Sequence, residues 1–129
     1  MGADLTIQST KRYFRDSYGP SNTWWVRGMS YWEMSSILRQ RDLITTATSE
    51  VKPEGVRAIW DALQQHPFPN KATFVQKWRA DHKTAVETDT VREEVQIEDA
   101  WRCARADDAE MIAFWKEALA HNSPVQWSV

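Results

Sequence analysis

Eight tryptophans stand in this 129-residue chain, and where they stand limits the folds open to it. Trp60, Trp78, Trp101 and Trp115 each occur singly within an amphipathic helical pattern. An indole of that size has to be covered by a neighbouring element, so these four predict helices packed around a core. Trp24, Trp25 and Trp32 instead crowd with Arg27 and Tyr31 into residues 24–32. That is more aromatic surface than one face of a single element buries. Part of it is therefore expected to form a contact surface.

The pattern along the chain predicts the elements. Residues 3–9 alternate as a short strand does, with Leu5 and Ile7 on one side and Thr6 and Gln8 on the other. Gly19-Pro20-Ser21-Asn22 is turn chemistry. The β-prone Thr23-Trp24-Trp25-Val26 predicts a second short strand or an extended lead-in to a helix. Ser30 and Glu33 form a capping box for a helix ending near Arg41, with Met34, Ile37 and Leu38 at helical spacing. Residues 42–52, rich in threonine, read as a loop. Pro53 opens a helix over 53–65, striped by Val56, Ile59, Trp60 and Leu63. Asn70 caps the next helix, whose inner face is Phe74, Val75, Trp78 and Ala85. A helical pattern resumes from Thr88, with Val91, Val95, Glu98 and Trp101 on one stripe. Asp107 and Glu110 read as a fresh N-terminus for a helix over 108–121 that buries Met111, Ile112, Trp115, Ala118 and Leu119. Residues 90–121 fit one kinked helix equally well. Val125 to Val129 alternates again and can pair with the first strand. The expected fold is α+β, mainly α, as a single globular domain over 1–129. It has four to five helices and a small two- or three-stranded β element formed by the chain ends.

Composition narrows the functions. The one cysteine, Cys103, makes no internal disulfide and predicts a reducing compartment. Its place beside Ala104 on a helical pattern predicts a buried, inert thiol. No apolar run approaches a membrane span, and Met1-Gly2-Ala3-Asp4 lacks the plan of a signal peptide, so a soluble, cytoplasmic chain is expected. The net charge of −2 is unevenly spread. Residues 1–86 hold twelve Lys/Arg against eight Asp/Glu, and residues 87–110 hold three against nine. The first balance is a weak footprint for nucleic acid. The second reads as a solvated helix face, or as an acidic docking strip for a basic partner.

The usual sites of chemistry are missing. His66, His82 and His121 show no zinc spacing, and four scattered glycines make no phosphate loop. There is no Gly-x-Ser-x-Gly elbow. The adjacent acids Glu93-Glu94, Glu98-Asp99 and Asp107-Asp108 point about 100° apart on a helix and form no acid/base dyad. Glu94 and Glu98 share a face, but would hold an ion only with ligands from another helix. No catalytic residue, metal or cofactor is expected.

Four blocks carry a resemblance to a group of short bacterial and phage proteins. The opening Met1-Gly2-Ala3-Asp4 with Leu5 to Ser9 resembles the group's "MGAD" start. Tyr13-Phe14-Arg15-Asp16-Ser17-Tyr18 is similar to its "YFRDSY" segment. Trp24 to Trp32 resembles its "LW…GLSWW" segment, and Ser123-Pro124-Val125 to Ser128-Val129 its "EPI…SL" close. The middle of the chain is unmatched. The long charged helix that many of the group carry between the first strand and the "YFRDSY" block is missing here. The resemblance implies a shared fold and a phage or mobile-element origin, and it transfers no activity.

The front of the chain supplies the candidate site: Arg12, Arg15, Trp24, Trp25, Arg27, Tyr31 and Trp32, as a partner-binding set. Arginine over indole gives cation–π contacts. The plainer reading is that Arg15 and Asp16 make buried ion pairs while the aromatics fill the core. Three functions compete. The favoured one is a small soluble protein-binding module, a phage or mobile-element inhibitor of a host enzyme or defence complex, acting by steric occlusion. A single-stranded nucleic-acid binder would stack bases on Trp24, Trp25 and Trp32 and hold phosphate with Arg12, Arg15 and Arg27, against the negative total charge. An enzyme of unrecognised type would use Asp4, Arg15 and Asp16, supported only by their clustering. The expected partner is another protein, host or phage, with nucleic acid the weaker alternative and no membrane. A homodimer stays open.

Overall fold

The structure, a computed structural model, describes residues 3–16, 22–81 and 90–128. The alternation at the two chain ends becomes β1 (Ala3–Ile7) and β5 (Val125–Ser128), paired antiparallel with Leu5 opposite Trp127. The sheet they centre is larger than the expected two or three strands. Its order is β2-β1-β5-β4-β3, with every neighbour antiparallel. β2 (Tyr13–Asp16) returns from β1 through a turn that holds Lys11 at a φ of 61°. β3 (Ile44–Thr45) and β4 (Glu50–Val51) form a hairpin within the stretch expected to be loop. Two residues per strand are too few to show a period.

Period 2 then sorts the side chains. Leu5, Ile7, Phe14, Val51, Val125 and Trp127 lie on the buried face, while Asp4, Thr6, Tyr13, Arg15 and Gln126 lie on the other. An antiparallel sheet with one wet face accounts for that division.

The helices follow their caps. Thr23–Val26 is not a strand but a single helical turn, α1. The Asn22 side chain accepts from the Trp25 amide at 3.2 Å. Gly28, at a φ of 86°, closes the turn as Met29 N donates to Trp24 O at 2.9 Å and Gly28 N to Trp25 O at 3.0 Å. These end contacts outweigh the β propensity of the four residues. The expected turn at 19–21 lies outside the described residues. α2 (Tyr31–Gln40) starts as predicted, with the Ser30 hydroxyl accepting from the Glu33 amide at 3.1 Å. α3 (Pro53–Gln65) has Pro53 in its first turn. Gly55 lets it approach the β3–β4 hairpin: a Cβ there would lie 2.7 Å from both Leu43 O and Val51 Cγ1. α4 (Lys71–Asp81) is capped by Asn70, whose Oδ1 accepts from Thr73 N at 2.8 Å. Ala85, read as part of its inner face, lies outside the described residues.

α5 (Thr90–Ala120) runs unbroken for 31 residues, about 46 Å. The expected fresh start at Asp107 does not occur. No proline or glycine interrupts 90–120, and the neighbouring Asp108 turns inward to pair with Arg27. The C-terminal half of α5 packs Met111, Phe114, Trp115 and Ala118 into the main core with β1, β5, α2 and α3. Its N-terminal half meets α4 in a second, smaller cluster built on Val26, Phe74 and Ala104, flanked by Phe68, Trp78 and Trp101. With only that covering, Val95 faces solvent instead of joining Trp101 on a buried stripe, and Cys103 is exposed rather than buried. The acidic stretch is partly spent inside the molecule. Glu93 pairs with Arg79 at 3.0 Å and Glu98 pairs with Lys71, so its charge helps hold α4 against α5.

Candidate functional site

The crowded stretch 24–32 is split by α1 and the Gly28 turn. Trp24 is fully buried and packs edge-on against Tyr31, ring centroids 6.4 Å apart. Tyr31 in turn meets Trp127 at 5.5 Å. Both belong to the core, so neither is available to a partner. On the outside, Trp25 is 44% exposed and Trp32 78% exposed. One helical turn places Trp24 and Trp25 about 100° apart. The first turn of α2 separates Tyr31 from Trp32 in the same way.

Arg27 also belongs inside. Its guanidinium makes a bidentate pair with Asp108, at 2.7 and 2.8 Å, and donates to Leu63 O at 3.0 Å and His66 O at 2.8 Å. A side chain only 7% exposed, tying α1 to α5 and to the end of α3, is a structural staple rather than a docking residue. Arg12 is half-exposed and pairs with Glu117 at 3.2 Å. The Thr10 hydroxyl, with Arg12 beside it, holds the Glu117 carboxyl below its ordinary range. Arg15 alone of the three arginines is mostly exposed, in a surface ion pair with Asp4 at 3.6 Å on the wet face of the sheet. The structure thus leaves Trp25, Trp32 and Arg15 outside and takes Trp24, Arg27 and Tyr31 inside.

Two residues outside the candidate set join the exposed group. Lys77, from α4, sits 4.7 Å over the Trp25 ring and donates to the Trp25 carbonyl. Burial lowers its pKa from the usual lysine range. Nothing local in the sequence signals a contact 52 residues away. Tyr13 is exposed on β2 and donates to Asp4, which raises its pKa. Its alternation with Arg15 was the available clue.

A buried polar knot lies beneath. Asp16 is 3% exposed and accepts from Thr23 N at 3.1 Å, from the Thr23 hydroxyl, and from Tyr31 Oη at 2.7 Å. Burial, then the nearby Asp16 charge, raises the Tyr31 pKa well above the usual 10. Asp107 is pushed up by burial and by the charges of Asp16 and Glu110. The three residues of the enzyme reading are not brought together: Asp4 and Arg15 lie on the wet face of the sheet, Asp16 on the buried one. Among the described residues no group of three or more His, Cys, Asp or Glu side chains is placed to hold a metal ion. None of their helices is long and apolar enough to cross a membrane.

No protein-family model, no curated protein and no solved structure matches the chain.

Proposed function

We propose that the chain is a protein-binding module that acts by occlusion, with Trp25 and Trp32 as its anchors. The observation that carries this reading is the exposure of these two indoles in a stretch that buries its other aromatics. Exposed tryptophan offers large contact area at small entropic cost, and such residues dominate binding energy where they enter a partner's pocket. Both are held in place before binding. Trp25 is clasped by Lys77 at ring and carbonyl, and Trp32 stands on the first turn of a helix capped by Ser30. Preorganisation of this kind reduces the ordering cost of association. The single free cysteine supports a reducing, cytoplasmic setting. The resemblance to short bacterial and phage proteins supports a phage or mobile-element origin, with a host enzyme or defence complex as the partner.

The test is affinity capture from bacterial lysate by the wild-type chain and by a Trp25→Ala, Trp32→Ala variant. Loss of a specifically retained protein in the variant supports the reading. The same proteins at the same yield contradict it.

A second reading, single-stranded nucleic-acid binding, draws on the Lys77 ammonium beside the exposed Trp25 ring, an arrangement suited to a stacked base and its phosphate. Salt-reversible quenching of tryptophan fluorescence by oligonucleotides would favour it over the first.

A further inference from the structure

The two edges of the sheet are not alike. The β3 edge is two residues long. The β2 edge has four residues and no proline. The ladder fixes which of its backbone groups are unused. Ile7 N donates to Arg12 O at 2.8 Å, so Ile7 and Arg12 form a hydrogen-bonded pair. In an antiparallel ladder such pairs alternate. Leu5 with Phe14 and Ala3 with Asp16 are therefore also bonded pairs, while Thr6 with Tyr13 and Asp4 with Arg15 are not. The next ladder agrees, since Gln8 N donates to Pro124 O at 3.1 Å, which turns the even-numbered residues of β1 toward β5. The N–H and C=O of Tyr13 and Arg15 thus point away from the sheet, and among the described residues no strand pairs with them.

We propose that this edge pairs with the β2 edge of a second copy of the chain, antiparallel about a two-fold axis through Phe14. The register follows from charge. Placing Arg15 opposite itself sets like charges together. Placing Tyr13 opposite itself brings Lys11 against Arg15 of the second copy. The register through Phe14 places Tyr13 opposite Arg15 in both directions, uses all four free N–H and C=O pairs of the two strands, and avoids both clashes. On the wet face, each Arg15, already beside its own Asp4, gains the Tyr13 ring of the second copy. The pairing joins two five-stranded sheets into one.

Sedimentation equilibrium of the full chain, from micromolar to millimolar concentration, is the first measurement. The expected result is a concentration-dependent dimer in which the amides of Tyr13 and Arg15 gain protection from hydrogen exchange as the dimer forms. Arg15→Pro removes an outward N–H and should abolish the dimer while leaving the far-UV circular dichroism unchanged. Should that variant fail to fold, Tyr13→Arg sets like charges across the axis and should weaken dimerisation about tenfold or more. Adding Arg15→Glu to Tyr13→Arg restores opposite charges and should recover it. A chain that stays monomeric throughout the range overturns the proposal. So does a dimer whose Tyr13 and Arg15 amides exchange as fast as in the dilute monomer, including one held by a different surface.

Discussion

Arg27 joins three helices through one side chain, and its removal would strand the Asp108 carboxylate, which is itself only 11% exposed. Arg27→Ala is expected to cost about 3–5 kcal/mol, the usual penalty for breaking a buried pair. Urea denaturation checks it. Gly55→Ala should cost about 1–3 kcal/mol, because the new methyl meets the Leu43 backbone oxygen, which cannot swing away, as well as the Val51 side chain. Tyr31 predicts the alkaline limit of the fold. Its pKa is raised in the folded state, so its contribution to stability is whole below the unfolded value of about 10 and is lost as pH rises from there. Stability should fall above about pH 10, and Tyr31→Phe should flatten that fall while lowering stability at neutral pH through the lost bond to Asp16. Urea midpoints measured across the alkaline range decide it. Some of this was open to sequence reasoning. The Ser30 and Asn70 caps were, since a cap is decided by residues within one turn. Arg27 was not, because its carboxylate partner lies 81 residues along the chain.

Elements with a long period were legible and short ones were not. The stripe of α3 repeats over about two turns, and the alternation at the chain ends placed β1 and β5 side by side. β2 hid because the residue facing inward at its end is Asp16, a carboxylate satisfied by Thr23 and Tyr31, which breaks the apolar alternation. α1 hid because its end signals, Asn22 and Gly28, bracket a single turn whose residues favour strands. The continuity of α5 offers a sharp test at Ala109, an exposed position. Were Asp107 a cap, a proline at Ala109 would fall in the first turn and cost little. In the interior of one helix, Ala109→Pro should cost about 3 kcal/mol or more. Its unfolding midpoint separates the two.

At the scale of the whole molecule, most aromatic residues pack into the two clusters that join the sheet and helices, while Trp25 and Trp32 lie largely outside them, with Lys77 over the Trp25 ring. Replacing Trp25 and Trp32 by alanine should shift folding stability by only about 0.5 kcal/mol each, the range of ordinary surface changes. Trp24→Ala should cost about 3–5 kcal/mol, as expected of a buried indole. The sequence carried the excess of aromatic surface but not its partition, which depends on a one-turn helix rotating neighbouring side chains to opposite sides. Hydroxyl-radical footprinting with mass spectrometry reads that partition for every tryptophan at once, in the free chain and with its captured partner. Oxidation should be fastest at Trp32 and Trp25, slowest at Trp24 and Trp115, and suppressed at Trp25 and Trp32 when the partner is bound. Rapid oxidation of Trp24, or indifference of Trp25 and Trp32 to the partner, would contradict the account.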